Sequence, residues 1–218
     1  MLTIAGLYIG TVRPLLPAGK LTGMFKHPVA EAAVEREGLM GDEQADRLAH
    51  GGPEQAVHQY ALSSYSAIVK AFPALANIAV AGSIGENISA ANMNESSVYI
   101  GDIYQFGGAQ LQISQPRSPC WKINDRFNEP KLVKFVAEQR LNGWYYRVLK
   151  TGKMATGNSI ERIYRPASAV SVDDFLAITA MRRPPVYDVG RLLACEGLSP
   201  EWQQKLTKRQ SFLRRLMA

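Results

Sequence analysis

Over its first 165 residues or so the chain changes direction every few residues, and this limits its fold more than any other feature. Apolar and β-branched runs of about five to seven residues recur, each bounded by Gly, Pro or Asn. Candidate strands are Leu2–Tyr8, Val29–Glu35, Ala56–Tyr60, Ile84–Ile88, Ile103–Phe106, Gln110–Ser114, Trp144–Leu149 and Ile160–Tyr164. Many short strands with turn signals between them predict a barrel or a sandwich. Gly107-Gly108 between two such strands is a hairpin turn. Along Trp144-Tyr145-Tyr146-Arg147 side chains alternate, so Trp144 and Tyr146 are expected on one face and Tyr145 and Arg147 on the other. Helical spacing interrupts the strands twice, at Ser63–Phe72 and at Pro130–Arg140, and these helices are expected to cover the barrel ends.

The pattern switches after Arg165-Pro166. Ser171 with Asp174 three residues on reads as a helix start, and Pro184-Pro185 as its stop. Asp188–Cys195 reads as a second short helix closed by Gly197, and Ser199-Pro200 opens a third. The expected fold is therefore mainly β, with a barrel domain at 1–165 and a three-helix extension at 166–218 that forms a separate unit. The net charge is +6, and from residue 201 onward five cations face one anion. Such a tail is a solvated helix face, a dock for an acidic partner, or a contact for nucleic acid. No apolar run reaches the eighteen or so residues of a membrane span, and the first residues lack a basic stretch before an apolar core. With only Cys120 and Cys195 in the chain, two unpaired thiols in a cytoplasmic protein are expected.

The stretch richest in chemistry is Ser114-Gln115-Pro116-Arg117-Ser118-Pro119-Cys120-Trp121-Lys122. Two prolines stiffen it, and it carries a thiol between Arg117 and Lys122. Neighbouring cations favour the thiolate, the form that binds soft metals. The competing reading is a small buried hydrophobe, which fits Cys195 in its Leu-Leu-Ala-Cys context. A second cluster is Gly41-Asp42-Glu43-Gln44-Ala45-Asp46 followed by His50-Gly51-Gly52, where glycines let a backbone approach a ligand. Taken alone it is equally a turn. His50 and His58 lack the partners of a zinc site. Gly85-Glu86-Asn87 is a third cluster, in which Glu86 is either a proton donor or a salt-bridged strand residue. No glycine-rich nucleotide loop, GxSxG or HExxH occurs.

Together these clusters resemble the MOSC domain family, named for the C-terminal domain of molybdenum cofactor sulfurases. The matching pieces run in the family's order from Leu39–Asp46 through His50-Gly51-Gly52, Gly85-Glu86-Asn87, Ile100-Gly101-Asp102 and Gln115–Cys120 to Gly143–Val148. The three-helix tail resembles an extension found in a bacterial subgroup. The resemblance implies a β-barrel, a molybdenum cofactor with Cys120 as the protein's metal ligand, and reduction of N-hydroxylated compounds such as hydroxylaminopurines to amines. Candidate cofactor contacts are then Gly41, Asp42, Gln44, His50, Gly51, Gly52, Asn87, Arg117, Cys120, Lys122 and Arg147. The cations Arg117, Lys122 and Arg147 suit the pterin phosphate. His50 and Glu86 are candidate proton relays beside Cys120. With no dinucleotide fingerprint, electrons are expected from an external reductase, a flavoprotein by class. Two other readings are open: a cofactor carrier or sulfur-transfer module using a Cys120 persulfide, and a nucleic-acid-binding barrel with a basic terminal helix.

Overall fold

The computed structural model describes residues 1–16, 19–46 and 51–217. The strands are β1 (Leu2–Ile9), β2 (Arg13–Leu15), β3 (Lys20–Thr22), β4 (His27–Val29), β5 (Glu31–Glu35), β6 (Gly38–Leu39), β7 (Val57–Ala61), β8 (Ile88–Ala90), β9 (Ile103–Phe106), β10 (Ala109–Pro116), β11 (Trp144–Lys150), β12 (Gly152–Ala155) and β13 (Ser159–Tyr164). The α-helices are α1 (Leu62–Ala71), α2 (Lys122–Phe127), α3 (Leu132–Glu138), α4 (Val172–Ala180), α5 (Val186–Leu193) and α6 (Pro200–Arg215). No helix among the described residues is long and apolar enough to cross a membrane.

Seven strands close into a barrel in the order β13-β9-β10-β11-β7-β8-β1, and β1 pairs back onto β13 through Leu2↔Ile160. Closure removes the exposed sheet edges that invite association with other chains. β7 and β8 run parallel, and the other barrel pairs are antiparallel. β4 extends the sheet beside β1, while β12, β5 and β6 form a small separate sheet. The β9–β10 hairpin turns at Gly107-Gly108, with Phe106 paired to Ala109 and Gly107 at φ +54°.

The candidate strand at Val29–Glu35 is two strands that break at Ala30. The candidate strand at Ile84–Ile88 is mostly a turn, and β8 begins only at Ile88. Glu86 causes this difference. Its buried Oε1 accepts hydrogen bonds from Gly82 N–H (2.6 Å) and the Tyr65 hydroxyl (2.7 Å), which holds the segment curled rather than extended.

Two apolar clusters fill the molecule. One lies in and around the barrel and includes Leu7, Phe106, Leu111, Ile113, Trp144 and Tyr146. Trp144 and Tyr146 are fully buried in it, on the face opposite Arg147, as the alternation predicts. The other lies beneath α1, α2 and α3, around Tyr60, Tyr65, Ile68, Ile123, Phe127 and Leu132.

The extension starts as its caps predict. Ser171 Oγ accepts from Asp174 N–H and Ser199 Oγ from Trp202 N–H, satisfying amides left unpaired at each helix start. Its apolar residues Val172, Phe175, Val189, Leu192, Leu206 and Leu213 belong to the same cluster as the barrel interior, as does Cys195. Val172 N–H also bonds Val98 C=O, and Ser199 N–H bonds Ser114 C=O. One of the tail cations serves the fold directly, since Arg209 donates to the Thr179 and Met181 carbonyls and so caps the C-terminus of α4.

Candidate functional site at the thiol cleft

Pairing places the C-terminal end of β10 beside the start of β11, with Pro116 opposite Trp144, and Tyr145 opposite His58 of β7. The loop leaving β10 is clamped at once. Arg117 N–H donates to Gly143 C=O (3.0 Å), and Asn142 Nδ2 donates to Arg117 C=O (2.9 Å). Gly143 is needed here: its φ is +74°, and a Cβ would lie 2.6 Å from the Gln59 carbonyl oxygen. The loop ends in α2, where Ile123 N–H bonds Cys120 C=O and the Ile123 and Phe127 side chains enter the second apolar cluster. Cys120 is thus fixed on both sides while its thiol stays free and partly exposed.

A cleft of about 630 Å³ opens next to the thiol. Its wall includes Cys120, Arg117, Lys122, Asp42, Gln44 and Asn87, all expected from the sequence, and also Lys26, His58, Tyr145 and Gln55, which were not. Asp42 organises one side. Its carboxylate accepts from Lys26 Nζ (2.6 Å), Asn87 Nδ2 (2.8 Å) and Gly10 N–H (2.9 Å). Asn87 in turn accepts from His58 N–H at Oδ1 (3.0 Å). Burial lowers the Lys26 pKa, and Asp42 opposes that shift.

On the other side Tyr145 packs against His58 at 5.2 Å between ring centroids. Burial raises the pKa of the Tyr145 phenol, and Arg117 beside it pulls the value back. Arg117 itself is 5% exposed, and its Nη1 has no hydrogen-bond partner among the described residues. A buried guanidinium nitrogen with no partner is costly, and its free N–H is suited to an anionic acceptor.

The other expected residues lie elsewhere. Arg147 is ion-paired with Glu54 and donates to Gln112 Oε1 (2.8 Å), so its guanidinium is committed outside the cleft. Glu86 is wholly buried behind the wall, with its pKa raised by burial against the hydrogen bonds it accepts. It shapes the turn that brings Ile84 and Gly85 to the cleft. Gly41, at φ +84°, lines a shallow neighbouring hollow together with Asp42 and Gln44. Gly51 and Gly52 precede the short 3-10 turn at Pro53–Gln55 and do not line the cleft. His50 lies outside the described residues.

Among the described residues no group of three His, Cys, Asp or Glu side chains could hold a metal ion. A metal held through Cys120 must therefore bring most of its ligands with it. A soft thiol on a rigid loop, a buried cation with one unpaired nitrogen, and no metal-ligand cluster among the described residues suit a metal carried by an anionic, sulfur-donating organic cofactor.

The model of the MOSC domain matches residues 46–161. The chain belongs to the MOSC domain family. It is 37% identical over 206 residues to Protein YiiM of Escherichia coli (strain K12), covering 94% of this chain and 91% of that one. The crystal structure of YiiM from Escherichia coli superimposes with a TM-score of 0.82 at 30% identity, over 97% of this chain and 94% of that chain. A protein named "Reductase" from Gibberella moniliformis (strain M3125 / FGSC 7600) is 40% identical over 136 residues, which cover 62% of this chain and 24% of that protein. The YiiM match extends through the helical tail, whereas the family model ends within β13. The barrel with its docked helices is thus the architecture shared with YiiM.

Proposed function

We propose that this MOSC protein is a molybdenum cofactor-dependent reductase that converts N-hydroxylated compounds to amines. The observation that carries the reading is the pairing, in one cleft, of the Cys120 thiol with the buried Arg117 guanidinium whose Nη1 lacks a partner. The thiol suits the metal, and the cation suits the phosphate of the pterin. Lys122 adds positive charge to the cleft, Lys26 being neutralised by Asp42, while Asn87 and Gln44 offer amide groups. The cofactor, when bound, supplies the two-electron chemistry that cleaves an N–O bond.

The chain's own groups orient and exclude. The Lys26–Asp42–Asn87 network fixes one wall, with Lys26 and Asp42 each 5% exposed at the side chain. The clamp from Asn142 and Gly143 sets the direction of the Arg117 loop. Cleaving N–O requires protons, and the cleft places His58 and Tyr145 within reach of its interior, whereas Glu86 is walled off. The raised pKa keeps the Tyr145 Oη protonated as a hydrogen-bond donor.

The test is anaerobic purification from a host competent for the cofactor, followed by metal and pterin analysis. The expected result is up to about one molybdenum and one pterin per chain, following from a single thiolate site. Cys120→Ser should fold, lose most of the metal and lose turnover of a hydroxylaminopurine. Full metal and activity in that variant would end the assignment. Loading without turnover would favour the cofactor-carrier role instead.

A further inference from the structure

Cys120 stands at the junction of two cavities. The inner one is the cleft described above. The outer one is an open surface hollow, lined by Lys20, Leu21, Asp46, Pro119, Trp121 and Lys122 as well as Cys120. Ala45, Asp46, Cys120 and Lys122 are common to both.

The chain has three tryptophans, and the other two are packed away. Trp144 is fully buried in the barrel, and Trp202 meets Phe175 edge-on at 5.0 Å. Trp121 is 49% exposed, belongs to neither apolar cluster, and makes none of the ring contacts found among the described residues. Its backbone is held even so, because it caps α2 and accepts Asn124 N–H at 3.0 Å. Leu21 across the cavity is 55% exposed. Lys122 Nζ bonds the Leu21 carbonyl (2.8 Å), which ties the two walls together beside the thiol. A half-exposed indole without a ring partner, on a fixed backbone next to a thiol, is suited to stack a flat ring.

We infer that the outer cavity is a substrate subsite in which Trp121 stacks a planar heteroaromatic ring, a purine or similar base, with its exocyclic nitrogen substituent directed at Cys120. The direction of the substituent rests on the proposed reductase function; the stacking does not. Trp121 then selects flat aromatic hydroxylamines over aliphatic ones by holding the ring, while the inner cleft handles the N–OH end. The apolar Pro119 and Leu21 exclude water from the ring's edges, and Lys20 and Asp46 make the rim polar.

The test uses the full chain, purified anaerobically from a cofactor-competent host and labelled with 5-fluorotryptophan, so that each tryptophan gives its own 19F resonance. Trp121→Phe assigns the Trp121 signal by its loss. Titration with 6-hydroxylaminopurine should shift that signal and leave those of Trp144 and Trp202 in place; N-methylhydroxylamine at the same concentrations should shift none. Calorimetry should show that Trp121→Phe keeps the affinity within about threefold, while Trp121→Ala weakens it by about tenfold, the size of a lost base–aromatic stack. A Trp121 signal that does not move, or Trp121→Ala binding as tightly as the parent, overturns the subsite. Failure of the reductase reading would show separately, as absent molybdenum or absent turnover in a protein whose Trp121 signal still responds to the purine.

Discussion

Arg117 carries opposite consequences for stability and for binding, which makes it informative as a single residue. Its guanidinium is buried, and one nitrogen has no partner among the described residues. Without an anion that charge is a liability, because replacing a buried charge with an apolar side chain of similar length is often neutral or stabilising. Arg117→Met should therefore melt at the same temperature as the cofactor-free parent or above it, while cofactor retained after anaerobic purification drops at least about tenfold, the value of one charge-assisted phosphate contact. A variant that melts lower yet keeps its cofactor would show that the side chain serves packing alone. Glu95 is a second informative residue, and the motifs gave no hint of it. Its buried carboxyl accepts Gly143 N–H (2.8 Å), bracing the glycine whose carbonyl holds Arg117. Burial, helped slightly by Asp173, pushes its pKa from 4.5 up to about 7, against the hydrogen bond from Gly143. Folding thus strengthens proton binding. The benefit is complete below about pH 4.5 and is lost as the pH rises through 7. The loss amounts to about 3 kcal/mol at 1.36 kcal/mol for each pH unit. Glu95→Gln keeps an acceptor for Gly143 and removes the titration. Urea denaturation from pH 5 to pH 8 should show the parent losing more stability than the variant, and parallel curves would rule out Glu95 as the source.

At the scale of elements, what could be read in advance depended on length and on local cause. β1, β9, β10, β11 and β13 stand out in the sequence because each is a β-rich run bounded by turn residues, and α4 and α6 because Ser171 and Ser199 cap them through their own side chains. β2, β3 and β6 are two or three residues long and carry no period. The Ile84–Ile88 segment has the composition of a strand, but buried Glu86 binds Gly82 and curls it. The site divides in the same way. Cys120, Arg117 and Lys122 share one loop, and Asp42 and Asn87 sit in recognisable motifs. Lys26, His58 and Tyr145 reach the cleft only because β7, β11 and the loop before β4 converge there. The helical extension illustrates the limit of reading boundaries. A change of periodicity at Pro166 suggests a separable unit, yet α4, α5 and α6 send Phe175, Leu192 and Leu206 into the barrel's own cluster. Ending the chain after Pro166 should consequently lower the melting temperature by at least about 10 °C, since each kcal/mol lost moves it by about 2–4 °C in a chain of this size and several buried side chains are lost. A truncated barrel melting with the parent would establish the extension as independent.

For the whole molecule the open question is where two electrons per turnover would enter, because the proposed reduction of N–OH consumes a pair and the centre must be re-reduced each cycle. The chain has two cysteines, too few for a four-thiolate cluster. They are also differently placed: Cys120 faces the cleft, while Cys195 is 2% exposed within the core cluster, with its thiol pKa raised by burial. The barrel is closed and nearly all antiparallel. It has no open parallel sheet with a strand-order reversal, the feature that provides a dinucleotide crevice. No glycine-rich phosphate loop follows any of its strands. No conventional dinucleotide seat is found among the described residues, so the proposed reductase is expected to take its electrons from a separate protein at the mouth beside Cys120. The surface around that mouth carries Lys20 and Lys122 against the single acid Asp46, and it exposes Trp121 and Leu21. A partner with an acidic rim around a flavin would meet it with complementary charge. The cofactor-loaded protein with NADPH alone should give no sustained turnover of 6-hydroxylaminopurine. Adding a flavin reductase or a low-potential dye should start it. The rate with the protein donor should fall as salt rises from about 50 to about 500 mM, while the rate with a small neutral dye should hold. Steady turnover with NADPH and this chain alone would mean that a nucleotide site exists on the barrel and that no second protein is required.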